Sequence, residues 1–60
     1  MINIDISKVD AKTETRMFLW ASKYLDIKYW NIITNGNRIL NIVFEVEEDA
    51  IVFKLKFGLN

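Results

Sequence analysis

The chain contains no cysteine and no histidine, and only two of its 60 residues are glycine. Without cysteine there is no disulfide framework, and without both residues the usual ligands of a zinc or iron site are missing. A chain this short forms one domain at most and buries only about 60% of the surface that its unfolded form exposes. We therefore expect one small domain, residues 1–60, that binds no metal or other cofactor and gains stability from a second copy or a partner.

Catalytic residues and targeting signals are scarce as well. Ser7 and Ser22 have no base at a recognisable spacing, and with no cysteine or histidine present we expect a protein that is not an enzyme. No apolar run approaches the roughly 20 residues of a membrane span, and the opening residues MINIDIS lack the basic flank and apolar run of a signal peptide. These features predict a cytoplasmic protein with no membrane partner.

The charges cancel, since eight basic residues balance eight acidic ones. They are unevenly spread: residues 8–38 are mildly basic and residues 39–60 mildly acidic. Non-specific nucleic-acid binders take most of their affinity from lysine and arginine, so a neutral total argues against that class. A local basic patch remains compatible with the sequence.

The first half of the chain predicts a strand and a helix. Residues 1–7 alternate isoleucine with polar residues, which is typical of a half-buried strand. Residues 10–26 contain no proline or glycine, which favours a helix. Ser7 or Asp10 is suited to cap its start. On a helical wheel one apolar stripe forms, and Trp20 lies at its edge. The stripe consists of Met17, Phe18, Ala21, Tyr24 and Leu25.

A β-hairpin should follow, because Asn35-Gly36 separates two runs rich in β-branched and aromatic residues. We expect a type I′ turn with a two-residue loop at 35–36 or a four-residue loop at 35–38. Both registers give the same faces. The core face should carry Ile27, Tyr29, Asn31, Ile33, Leu40, Ile42, Phe44 and Val46, and the outer face Lys28, Trp30, Ile32, Thr34, Ile39, Asn41, Val43 and Glu45.

Residues 47–57 fit two structures. Their apolar residues alternate as in a strand, but Glu47, Glu48 and Asp49 stand where a helix dipole favours anions and Gly58 where a helix often ends. We expect a helix, with a fourth strand (β-α-β-β-β) as the alternative. The predicted fold is α+β, in the order β-α-β-β-α. Its three-stranded sheet has the order 1-3-2 with both helices on one face, like a ferredoxin-like fold that lacks the last strand.

Residues 44–58, FEVEEDAIVFKLKFG, resemble the C-terminal ending of small proteins of T-even-like tailed phages, in which F-x-x-E-E-D-A-x-x-F-K-L-(K/R)-(F/W)-G recurs. The resemblance covers about a quarter of the chain and implies a phage origin. The same segment resembles the third strand and second helix of RNA-recognition-motif domains. That family's aromatic-rich motif on the third strand is absent here, so its RNA-binding residues are not carried over.

The outer sheet face is the first candidate site, because an exposed apolar cluster usually marks a binding surface. We expect Trp30 to anchor it, since tryptophan is enriched at interface hot spots. The predicted partner-binding residues are Trp30, Ile32, Ile39, Val43, Lys28 and Asn41. A covering third layer or a second copy is the alternative explanation for this face.

A second candidate surface lies on the long helix, where Arg16 and Lys23 flank Trp20, with Arg38 as a further cation. An ordinary solvated helix face explains the same pattern. The sequence favours a phage-encoded interaction protein that binds a bacterial host or defence protein and modulates or inhibits it by occupying a surface. A small RNA- or DNA-binding regulator and a self-assembling structural subunit are the alternatives.

Overall fold

The computed structural model describes residues 1–59. It contains β1 (Ile2–Asp5), α1 (Ala11–Tyr24), a 3-10 turn (Ile27–Tyr29), β2 (Trp30–Asn35), β3 (Arg38–Phe44) and α2 (Glu47–Phe57). The sheet has the order β1-β3-β2, and β3 pairs antiparallel with both neighbours. The predicted α+β architecture and strand order are therefore confirmed.

Both helices begin and end at residues suited to those positions. Asp10 caps α1, and its side chain accepts a hydrogen bond from the Thr13 N–H at 3.0 Å. Hydrogen bonding by the Thr13 side chain, and then by the Thr13 backbone, lowers the pKa of Asp10. Gly58 ends α2 in the left-handed conformation, with φ at 68°. The end signals thus identified residues 47–57 as a helix, and the alternative of a fourth strand is wrong.

The core lies between the sheet and the two helices. Phe44 from β3 packs against Phe53 from α2 with ring centroids 5.3 Å apart, and Met17 and Ala21 of α1 are fully buried beside them. Tyr24, which was expected in the same stripe, is 62% exposed, because it is the last residue of α1 and its ring packs against Trp20 at the rim of the core. The buried core consists of Ile4, Ile6, Met17, Ala21, Trp30, Ile42, Phe44, Ala50 and Phe53.

The hairpin forms with a loop that lies one residue later than the expected two-residue loop at 35–36 and inside the expected four-residue loop at 35–38. Asn35 pairs with Arg38, so the loop residues are Gly36 and Asn37. Of these two loop residues only Gly36 has a positive φ, 61°, which is the φ pattern of a type II′ turn rather than type I′.

A β-bulge reverses the predicted faces of β2. Thr34 pairs with Ile39 but Ile33 pairs with Asn41, so Leu40 is the extra residue. One extra residue moves every later side chain of the partner strand to the opposite face. Trp30 consequently lies opposite Phe44 in the core, whereas Ile33 points to the outer face.

The expected core face of the β2 segment is therefore wrong. Asn31 and Ile33 are exposed on the strand, and Ile27 and Tyr29 are exposed in a 3-10 turn that Asp26 caps through the Lys28 N–H at 3.0 Å. The prediction for β3 holds for Ile42 and Phe44, which are fully buried. It fails before the bulge, where Ile39 packs against the core in place of Leu40.

Candidate interaction surface

The outer sheet face is polar rather than apolar. Strand pairing aligns Asn3, Val43 and Asn31 in one row across the sheet, and Asp5, Asn41 and Ile33 in the next. Three of these six side chains are asparagines and one is an aspartate, and the two apolar ones are Ile33 and Val43.

The expected partner-binding cluster on that face is accordingly dispersed. Trp30 is only 6% exposed, and both Ile32 and Ile39 pack against the core. Val43 and Asn41 do lie on the outer face, and Lys28 is exposed in the 3-10 turn. The prediction that Trp30 anchors an exposed apolar surface is wrong, because the bulge at Leu40 turns its side chain inward.

Exposed apolar side chains are concentrated instead on the helices. The solvent side of α2 carries Ile51 and Val52, each 49% exposed, and Leu55, 77% exposed. Residues three and four apart are neighbours on a helix surface, so these three side chains form one continuous patch. Since Ala50 and Phe53 face the core, α2 is apolar on both its inner and its outer side. Exposed apolar side chains that form one continuous patch are normally covered by a partner.

A groove of about 270 Å³ runs between α1 and α2 beside this patch; we call it the helix groove. Its apolar lining comes from Leu19 and Trp20 of α1 and Phe57 of α2. The Trp20 ring is held by Phe53 and Phe57, with centroids 6.0 and 5.9 Å away. Trp20 therefore belongs to the core on one side and to the groove on the other.

Two cations border the helix groove, Arg16 on α1 and Lys56 on α2. Arg16 and Trp20 lie together as predicted, because both stand on one helix at a spacing of four. Lys56 was not predicted, because it comes from a different element. Its only sequence signal was a position in the last turn of a predicted helix.

The other two predicted cations lie elsewhere. The Lys23 ammonium sits over the Tyr24 ring, 5.3 Å from its centroid. Arg38 contacts Glu14 and Val9, with its Nε 3.1 Å from the Glu14 carboxylate and its Nη2 donating to the Val9 carbonyl at 2.7 Å. The structure thus brings together Arg16 and Trp20 but separates them from Arg38.

A second groove, of about 320 Å³, follows the free edge of β1; we call it the edge groove. One wall is the strand itself, Asn3, Ile4 and Asp5, and the other comes from Lys54 of α2 and from Leu59. A hydrogen-bonded turn ends the strand here. The Ser7 N–H donates to the Asp5 carboxylate at 2.8 Å, and hydrogen bonding by Ser7 lowers the pKa of that carboxyl.

No protein-family model, curated protein or solved structure matches this chain. Among the helices of residues 1–59, none combines the length and the apolar character that crossing a membrane requires. The same residues contain no group of three acidic side chains arranged to hold a metal ion. The apolar patch of α2 and the helix groove lie side by side, and we call the two together the helix layer.

Proposed function

We propose that this chain is a small interaction protein that binds another protein through its helix layer. The observation that supports the proposal is the solvent side of α2, where Ile51, Val52 and Leu55 form an exposed apolar patch. Such patches mark interaction sites in soluble proteins. The function is surface occupation, by which the chain blocks or alters the partner without catalysing a reaction.

The helix groove supplies specificity next to that patch. Its lining includes Trp20, which packs against Phe53 and Phe57, and tryptophan in a well-packed pocket is typical of an interface hot spot. Arg16 and Lys56 at the rim favour an acidic surface on the partner and orient it during binding. The partner surface should thus present an apolar residue flanked by carboxylates.

The resemblance of residues 44–58 to phage proteins supports a bacterial target. In this proposal the chain is encoded by a phage, acts in the cytoplasm of the infected cell, and inhibits or redirects a host or defence protein. The resembling segment includes all of α2 and hence the apolar patch itself.

Capture from bacterial lysate tests the proposal when two matched variants are compared. Leu19→Glu places an acid in the helix groove, and Ile33→Glu places one on the outer sheet face. Leu19 is 59% exposed and Ile33 is 44% exposed in the folded chain, so neither substitution buries a charge. The captured protein should be lost with Leu19→Glu and kept with Ile33→Glu. The reverse pattern would transfer the binding site to the sheet and contradict the proposal.

Nucleic-acid binding is the second candidate function, since Arg16, Lys56 and Trp20 meet in one groove. The packing of Trp20 against Tyr24, Phe53 and Phe57 leaves less of its ring free to stack on a base. Nuclease treatment separates the two functions. Capture that survives nuclease and moderate salt supports a protein partner, whereas capture lost with nuclease supports nucleic acid.

A further inference from the structure

The edge of β1 has backbone groups available for pairing. The Ile6 N–H donates to the Leu40 carbonyl at 2.9 Å, in line with the pairs Ile2–Phe44 and Ile4–Ile42. Backbone direction alternates along an antiparallel strand, so Ile2, Ile4 and Ile6 direct their backbone groups toward β3. The N–H and C=O groups of residues 3 and 5 must then point away from the sheet, into the edge groove.

The opposite edge of the sheet is protected. On β2 the Ile32 N–H is occupied by the Asn31 side-chain oxygen at 2.8 Å, and the bulge lies between this strand and β3. A bulge twists an edge away from a flat partner strand, and an N–H that is already bonded is not free to pair. Pairing with another strand is therefore directed to β1.

The flank of α2 above this edge is suited to a second helix. Lys54 borders the edge groove, and Glu47 and Ile51 lie on the same flank, seven and three residues before it. Ile51 and its neighbour Leu55 are exposed there. The flank begins with the acids Glu47 and Glu48 and has Lys54 toward its end, so it carries opposite charges at its two ends.

We propose that a second copy of this chain docks on this edge, with β1 pairing antiparallel to β1 and α2 lying antiparallel along α2. A two-fold axis produces both pairings at once. In the register that faces residue 3 with residue 5, the Asn3 amide of one copy lies beside the Asp5 carboxylate of the other. The antiparallel helices bring the acidic start of each α2 to Lys54 of the other copy.

The spacing fits this arrangement. α2 contacts both β1 and β3, and for this estimate we place its axis midway between them. Neighbouring strands are about 4.8 Å apart, which places β1 about 2.4 Å from the two-fold axis and α2 about 4.8 Å from it. The two α2 axes are then about 10 Å apart, within the usual range for packed helices. Ile51 and Leu55 become buried, and the sheet extends to six strands in the order 2-3-1-1-3-2.

The dimer leaves the helix groove free, because Val52 and Lys56 lie on the opposite flank of α2. Dimer formation would bury Ile51 and Leu55 of the apolar patch, so a partner of the dimer would bind through Val52 and the helix groove. The dimer has its own readout, the mass of the purified chain in the absence of any partner, so its failure can be told apart from failure of the proposed function. The dimer would carry two copies of the helix groove.

Sedimentation equilibrium over a wide concentration range tests the proposal with adjacent, equally exposed residues. Ile51→Lys should raise the dimer dissociation constant at least about 100-fold, since each substitution enters a symmetric interface twice. Val52→Lys is the matched control, with the same 49% exposure, and should leave the constant within about threefold of the original value. Circular dichroism verifies that both variants fold.

A second variant tests the strand. Asn3→Pro removes an N–H that points away from β3, so it should keep the fold yet abolish the dimer. A chain that stays monomeric at every concentration would overturn the proposal and favour the strand of a different protein as occupant of the edge. A dimer that survives both Ile51→Lys and Asn3→Pro, or one that is lost with Val52→Lys alone, would overturn it as well.

Discussion

Glu14 is the buried acid of this fold, and its removal should destabilise the protein measurably. The residue is 6% exposed, and its carboxylate accepts from the Ile39 N–H at 3.0 Å and from Arg38 Nε at 3.1 Å. Glu14→Ala leaves the Ile39 N–H without this partner, which costs about 1–3 kcal/mol when the group stays buried. The ion pair adds less than about 1 kcal/mol, because the Arg38 side chain is 46% exposed and screened by water.

The expected loss for Glu14→Ala is therefore about 2–3 kcal/mol, a large share of the roughly 3–9 kcal/mol that a chain of this length has. Glu14→Gln keeps an oxygen for the Ile39 N–H and should lose only about 1 kcal/mol. Urea unfolding followed by tryptophan fluorescence gives the free energies, with Glu48→Ala as an exposed-acid control. A Glu14→Ala variant within about 0.5 kcal/mol of the original protein would refute the reasoning.

Three further predictions follow from the core, the α2 end and the α1 cap. Trp30→Ala should cost about 3–5 kcal/mol of unfolding free energy. Trp30→Phe should cost far less, because the buried Nε1 of Trp30 has no hydrogen-bond partner in residues 1–59. Equal losses for the two variants in urea unfolding would contradict this. Gly58→Ala should lower the free energy of unfolding by about 1 kcal/mol through the positive φ alone, because an added Cβ meets nothing within 4 Å. Gly58→Asn should lower it less. An unchanged stability of Gly58→Ala would contradict this prediction. The pKa of Asp10 is lowered on folding, so its stabilisation is present above the unfolded value, near 3.8, and is lost as the pH falls through the folded value. Urea midpoints measured from pH 7 to pH 2 should show a weaker acid dependence in Asp10→Asn, and an unchanged profile would contradict the role of the cap.

Local signals in the sequence were sufficient to predict the element order. Asp10 and Gly58 mark helix ends through their own chemistry, and Asn35-Gly36 marks a hairpin wherever its partner strands lie. The strand order then follows from the handedness of the crossover. These features depend on residues close together in the chain, which is why they could be recognised without the structure.

The faces of β2 could not be predicted in the same way. The extra residue at Leu40 looks like any other apolar position of a strand, yet it decides whether Trp30 or Ile33 enters the core. The helix groove was half visible, because Arg16 and Trp20 share a helix. Lys56 joins them through tertiary packing of α2 against α1, which no spacing along the chain encodes.

The affinity of the captured protein for Leu19→Glu and for Ile33→Glu is the most direct test of binding through the helix layer. Both substitutions place an acid on an exposed apolar position, and calorimetry against the purified partner measures each dissociation constant. Binding through the helix groove predicts at least about 100-fold weaker binding for Leu19→Glu and an affinity within about threefold of the original for Ile33→Glu. Equal affinities, or a loss confined to Ile33→Glu, would contradict the proposed function.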